Sequence, residues 1–323
     1  MAIAIDFGTS NTCIARWNPV TQQPETLSLP GLSQQLGNNP PLIPSLVYVE
    51  DAAQNKVVVG QAVRDRGLDL TTPRFFRSFK RGIGADIQGF LPELDGQIVS
   101  FEQVGQWFLN QIIEKLATDA PESLVLTVPV DSFEAYRLWL GQVCQSLPVE
   151  QVRLLDEPTA AALGYGMAEQ DILLVIDFGG GTLDLSLVRL DGGATKKQSG
   201  FLLKWGKKSL AEKSGQKVKT ARVLAKAGQN LGGSDIDNWI VDYFATTQGL
   251  AATPLTTRLA ERLKIQLSSQ TQANEVYFND ETFESYELEL NRDGLEKILQ
   301  EHSFFAQLDQ SMNQLLQQAR RQG

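Results

Sequence analysis

The stretch "VIDFGGGTLDLSLV", residues 175–188, sets three consecutive glycines between two apolar runs of strand type, with Asp177 before the turn and Asp184 after it. Consecutive glycines weaken any strand that holds them, so the turn itself must explain them. A glycine turn accepts positive φ and lets the backbone approach a ligand closely. Successive N–H groups in such a turn form an anion-binding concavity. Carboxylates repel phosphate, so acids beside such a cradle call for a cation between them. Magnesium fits, because it keeps most of its waters and needs only one or two nearby carboxylates.

The same frame opens the chain. "AIAIDFGTSNTCIARW" (2–17) and "LLVIDFGGGTLDLSLVRL" (173–190) both read as apolar strand, Ile-Asp-Phe-Gly, small-residue turn and second strand. One copy alone is as well explained by an ordinary tight hairpin, since short glycine motifs recur by chance. Two copies favour a phosphate clamped between two related halves of an α/β protein. Their separation is too long for a solenoid repeat. Thr9, Ser10 and Thr182 add hydroxyl donors at the turns, and Asp6 and Asp177 each stand at the end of a first strand.

Composition narrows the chemistry. A chain of 323 residues, 42% hydrophobic and 21% charged, is expected to form a globular protein with two or more subdomains. Cys13 and Cys144 lie far apart, which suits a reducing compartment. The lone histidine, His302, excludes a zinc-binding His/Cys set, and with no other histidine a Cys-His pair is not expected. His302 sits in a helical pattern and reads as a helix-surface residue. The N-terminus runs directly into a strand pattern, so no leader is expected, and no apolar run approaches ~18 residues. A cytoplasmic location is expected. The net charge of −9 is uneven, with ten Lys/Arg between Lys196 and Lys226 against Glu212 alone.

Other stretches carry a resemblance. "DFGTSN" (6–11), "DFGGGTLD" (177–184), "SLVLTVPVDSFEAYR" (123–137), "LLDEPTAAALGYG" (154–166), "NLGGSDID" (230–237) and "ERLKIQLSS" (261–269) occur in the order found in the actin-like ATPase superfamily. More narrowly, the chain resembles the nucleotide-binding domain of the DnaK-type heat-shock chaperones. "VVVGQAVRDRGLDLTTPRFFRSFKRGIG" (57–84) is similar to the chaperone pattern and separates it from sugar kinases and filament proteins. The resemblance runs from Met1 to about Arg320.

The resemblance implies an α/β, two-lobed actin-like ATPase fold, made of duplicated ribonuclease-H-like domains with inserted subdomains. The first lobe is expected over 1–170, with its core at 1–38 and 102–170 and an insertion at 39–101. The second is expected over 171–323, with its core at 171–232 and 300–323 and an insertion at 233–299. ATP or ADP with magnesium, and potassium, would bind between the lobes, and closure of the cleft would be the conformational output. A J-domain co-chaperone and a nucleotide-exchange factor are the partners implied.

Site roles follow from the same resemblance. Lys80, otherwise one of three basic residues on a surface segment, matches the lysine that polarises the attacking water. Glu157, otherwise an acid complementing a helix start before Pro158, would join it through water to the metal. Asp6, Asp177 and Asp184 would ring the hydrated magnesium. The turns Gly8, Thr9, Ser10, Asn11 and Gly179, Gly180, Gly181, Thr182 would hold the phosphates, with Thr182 catalytic beside the terminal one. Gly232 and Gly233 would let the backbone approach ribose and phosphate, and Ser234 reads as an N-cap for the helix that follows. Glu261, Lys264 and Ser268 share one helical face, ordinarily a solvated one, and match the ribose and adenine contacts. Pro129 and Arg137 match a hinge proline and a residue that senses the interdomain linker.

Two departures qualify the expectation. Residues 192–229 are longer than the family's hairpin connection. They read as a solvated basic loop, or as a patch for an acidic partner over 196–226. The chain also stops where the family continues into a strand, a Gly-Gly turn with an adenine-stacking arginine, closing helices, a linker and a peptide-binding domain. An ATPase lacking the peptide-binding domain is therefore expected, with two rivals. One is a non-hydrolysing remnant acting as an interaction module, the other a sugar-kinase-like phosphotransferase.

Overall fold

The computed structural model describes residues 2–35, 37, 39–85, 89–116, 123–129, 134–145, 149, 151–164, 172–191, 220–279 and 282–321. The N-terminal copy of the repeated frame is an antiparallel hairpin of β1 (Ala2–Phe7) and β2 (Asn11–Asn18). Ile3, Ile5 and Phe7 are buried in alternation with exposed neighbours, the period of two that a half-buried strand requires. β3 (Gln23–Thr26) and β4 (Ile43–Pro44) both pair with β2. A small antiparallel sheet follows, with β5 (Leu46–Asp51) flanked by β6 (Lys56–Val59) and β7 (Phe75–Arg77). The short helix α1 (Gln61–Asp65) lies between β6 and β7, and a 3₁₀ turn over Phe79–Gly82 leaves β7. The β8 (Glu93–Leu94) and β9 (Gln97–Ile98) hairpin leads to α2 (Phe101–Leu116).

The first sheet is completed by parallel strands. β10 (Ser123–Val128) lies beside β1, and β11 (Gln151–Asp156) beside β10, giving the order β11-β10-β1-β2-β3. Parallel neighbours need a crossover, and α3 (Glu134–Gln145) supplies it between β10 and β11. The core on this sheet joins Phe7, Phe79, Phe108, Trp139 and Tyr136 with aliphatic residues of α2 and β10. The segment that carries Lys80 is thus anchored by Phe79, which is fully buried.

The second copy of the frame is the hairpin of β12 (Ile172–Phe178) and β13 (Leu183–Asp191), extended by β14 (Thr220–Gln229) into a three-stranded antiparallel sheet. Helix α4 (Glu157–Gly164), which follows β11 directly, packs Ala162 on Val188 on one face. The opposite face carries Leu183, Leu185, Ala225 and Ala227 against the C-terminal helix α8 (Phe304–Arg321). A third core joins α5 (Gly233–Gln248), α6 (Pro254–Ser269), β15 (Gln272–Asn279), β16 (Glu284–Asn291) and α7 (Arg292–Glu301) around Ile240, Phe244, Leu263 and Leu288. Among the described residues no helix is long and apolar enough to cross a membrane. Mixed α/β layers are what alternating strand and helix patterns predict.

Several expectations are corrected. The stretch read as a basic loop ends in β14, where Ala221, Val223, Ala225 and Ala227 pair with β13 across a bulge between Leu187 and Val188. Its remainder, 192–219, lies outside the described residues. The C-terminal helical pattern is broken at His302 and Ser303, where Ser303 adopts a φ of 56°, into α7 and α8. His302 is exposed as expected, yet it caps α7 and stacks on Trp239 with ring centroids 4.5 Å apart. Ser234 is not the N-cap of α5; that position is Gly232.

Candidate functional site

The register of the two hairpins fixes the acids. Asp177 stands directly opposite Asp184, and Asp6 opposite Cys13, so the second hairpin carries two carboxylates where the first carries one. Desolvation, then Asp184 and Asp6, push the pKa of Asp177 up; closely set carboxylates resist joint ionisation. Asp6 accepts a hydrogen bond from the Thr127 hydroxyl at 2.6 Å. Among the described residues no three acid, histidine or cysteine groups converge as a direct metal-ligand set.

The two turns meet. A Cβ built on Gly180 would overlap Ser10, and one on Gly181 would lie 2.9 Å from the Thr9 side chain. Gly179 donates its amide to Thr182 O at 2.9 Å, which closes the second turn and leaves Gly180 and Gly181 at its tip. The first turn is pinned by Ser45, whose hydroxyl donates to Gly8 O at 2.7 Å while its amide donates to Ser10 O at 2.8 Å. Helix α5 docks on the second turn through Gly233 N to Gly179 O and Ser234 N to Gly180 O, both 2.9 Å. Both turns therefore border one space.

That space continues in two directions. A pocket of about 310 Å³ is lined by Thr9, Lys80, Pro129, Glu157, Thr182 and Asp184, with Arg81 and Tyr136 among its other walls. Lys80 Nζ lies 3.1 Å from Glu157 Oε1 and 5.5 Å from the centre of the Phe7 ring. Burial opposes the charge on Lys80, but Tyr136, Glu157 and Asp6 outweigh it and raise its pKa, so the ammonium stays protonated. Burial raises the pKa of Glu157, with Lys80 partly offsetting it. Lys80 is thus a largely enclosed cation paired with Glu157 rather than one of three surface charges. Arg137 lies 3.7 Å from Asp156, the residue before Glu157.

The other direction is a cleft of about 390 Å³, where Ser10, Asn11, Gly179, Gly180 and Gly233 face Glu261 and Lys264 of α6. Lys264 Nζ sits 2.6 Å from Asp237 and donates to Gly233 O at 2.8 Å. Glu261 lies 3.7 Å from Arg64 of α1. Ser268 stands apart, exposed, with its hydroxyl donating to Ile265 O at 2.6 Å, and does not line the cleft. Sequence reasoning missed Ser45, Arg81, Asp237 and Tyr136. Arg81 donates to Gly181 O and pairs with Asp235 at 3.1 Å. Its only prior signal was adjacency to Lys80.

Asp237 gives a pH test. Burial pushes its pKa up to about 6, against the opposing pull of Lys264. Between about pH 4 and pH 6 the native state holds this proton and the unfolded chain has lost it, so this residue makes stability fall as pH rises. Relative to Asp237→Asn, wild-type stability should drop by about 3 kcal/mol from below pH 4 to above pH 6. Urea unfolding of both proteins across pH 4–7 measures it. A constant difference would show that Lys264 cancels the effect of burial and that the pKa is not raised.

Residues 2–200 match the sequence model of the family described as Hsp70 protein. The chaperone protein HscA of Salmonella arizonae is 30% identical over 276 residues, covering 78% of this chain and 38% of that protein. The chaperone protein HscA homolog of Pseudoalteromonas atlantica is 31% identical over 275 residues, covering 77% and 38%. The chain spans well under half the length of these relatives.

Proposed function

Because the chain belongs to the Hsp70 family, we propose that it is an ATP-binding domain that hydrolyses ATP with magnesium. The observation that carries this reading is the meeting of two glycine turns beside a largely buried Lys80–Glu157 pair. The phosphates would lie along the turns, and the nucleoside along the cleft bordered by Glu261 and Lys264. On this reading 1–170 and 171–323 act as two lobes that close on the nucleotide.

The residues present fit a hydrated cation better than a directly ligated one. Asp6, Asp177 and Asp184 border the turns, yet no direct ligand set forms among the described residues, so they would hold the ion through its water. Magnesium when bound neutralises charge on the phosphate oxygens. The chain's own residues supply positioning. Thr9 and Thr182 present hydroxyls to the terminal phosphate from opposite turns. Lys80 places a fixed positive charge where negative charge develops, and Glu157 keeps that ammonium oriented. Lys264 braces the Gly233 backbone at the nucleoside end. Pro129 and Arg137, next to Glu157 in space and through Asp156, would pass the state of the site outward. A J-domain protein and a nucleotide-exchange factor are the proposed partners, and the cytoplasm the proposed location.

Calorimetry with ATP and magnesium, followed by single-turnover hydrolysis, tests the reading. A one-to-one site whose occupancy raises Tm with ligand concentration, and which releases phosphate, is expected. The absence of both heat and a Tm rise at millimolar ATP would remove the proposal.

A further inference from the structure

The Tyr136 side chain is the anomaly beside the site. The residue is 3% exposed, and its hydroxyl is buried without a hydrogen-bond partner among the described residues. A buried hydroxyl left unpaired costs on the order of 1–3 kcal/mol, and native interiors seldom retain one without a reason. Tyr136 lines the same 310 Å³ pocket as Lys80, Glu157, Thr182 and Asp184. Its ring is held by Trp139 at 5.5 Å, and Trp139 in turn donates from its indole to Glu102 O at 3.0 Å. The backbone is fixed as well. Gly84 has a φ of 72°, and a Cβ there would lie 2.7 Å from Tyr136 N, so the chain just beyond Lys80 presses directly on the first turn of α3. Lys80 and Tyr136 are therefore set by one packed unit.

We propose that Tyr136 is a positioning residue for hydrolysis: its hydroxyl, with Lys80 and Glu157, holds the water that attacks the terminal phosphate. The proposal rests on the ATPase reading above. A tyrosine suits the task because it both donates and accepts one hydrogen bond. Burial pushes its pKa up to about 12, so it stays neutral and serves only to orient. The hydroxyl can donate to the water or accept from it. The water's proton leaves to the phosphate oxygens or to Glu157, and Tyr136 keeps its own.

Tyr136→Phe tests this with the ring retained. Single-turnover hydrolysis should slow about tenfold, the worth of one hydrogen bond to a positioned water. The ATP Kd should stay within about twofold, and Tm without nucleotide should be unchanged or raised, because an unpaired hydroxyl has been removed. A Tyr136→Phe variant that hydrolyses at the wild-type rate, or one whose rate falls only in step with a lowered Tm, overturns the role of Tyr136. If Lys80→Ala abolishes turnover in the same assay, that result leaves the ATPase reading standing. Wild-type protein that binds ATP without turnover overturns both.

Discussion

Lys80→Ala should bind ATP within a few-fold of the wild-type affinity and hydrolyse it at least about a hundredfold more slowly in a single turnover. The separation follows from where the ammonium sits. Lys80 lies in the pocket at the far side of the turns, beside Glu157 and Tyr136, whereas the cleft lined by Glu261 and Lys264 opens on the other side. On the proposed reading, loss of Lys80 removes a charge from the place where hydrolysis would develop negative charge and leaves the cleft that would hold the nucleoside intact. The substitution also strands Glu157, whose carboxylate is mostly buried and 3.1 Å from the lost ammonium. A buried acid without its cation takes up a proton more readily. Lys80→Ala should therefore be less stable than wild type at pH 8, and the deficit should shrink as pH falls and Glu157 protonates in the variant's native state. Thermal unfolding across pH 5–8 reads this arm, and quenched-flow phosphate release reads the other. A variant that hydrolyses ATP like wild type would remove Lys80 from the chemistry.

Much of this architecture is legible in local sequence because its determinants are local. The Ile-Asp-Phe-Gly frames, the turn glycines and the facing pair Asp177 and Asp184 follow from a hairpin register that spans only a few residues. Helix α6 shows its face through Glu261 and Lys264 at i and i+3, and the structure sets both on the cleft. What escaped was of two kinds. Strand β14 carried a period-two pattern, Ala221, Val223, Ala225 and Ala227, but small apolar residues among lysines give a weak signal against the charge of the surrounding stretch. Arg81, Ser45 and Asp237 act through partners distant in sequence, such as Arg81 on Gly181 and Asp235, and Tyr136 reaches the pocket only through the packing of α3; no short-range pattern encodes either. The exposed outer positions of β12, Ile172, Leu174 and Ile176, belong to neither kind. An apolar strand pattern predicts burial, and no described element covers them.

The second large effect is expected at Gly232, where the reason for glycine is contact rather than backbone angle. Its φ of −150° is open to any residue. A Cβ at this position, however, would lie 2.5 Å from Gly181 N and 2.6 Å from both Gly180 C and Gly180 O. Those are backbone atoms of the turn itself, so no side chain can rotate to make room. Gly232→Ala must lift the start of α5 off the second turn and weaken the Gly233–Gly179 and Ser234–Gly180 hydrogen bonds. Overpacking of this kind costs about 1–3 kcal/mol, and each lost hydrogen bond about 1 kcal/mol more. The turn would also lose the shape that brings Gly180 against Ser10, so ATP affinity should fall by about thirtyfold or more, the equivalent of about 2 kcal/mol. Gly164→Ala is the matched control, since among the described residues a Cβ there meets nothing within 4 Å, and it should leave both Tm and Kd near wild type. Calorimetric titration and thermal unfolding of the two variants separate a general glycine effect from a specific one. Wild-type ATP affinity in Gly232→Ala would mean that the docking of α5 on the turn does not shape the phosphate site.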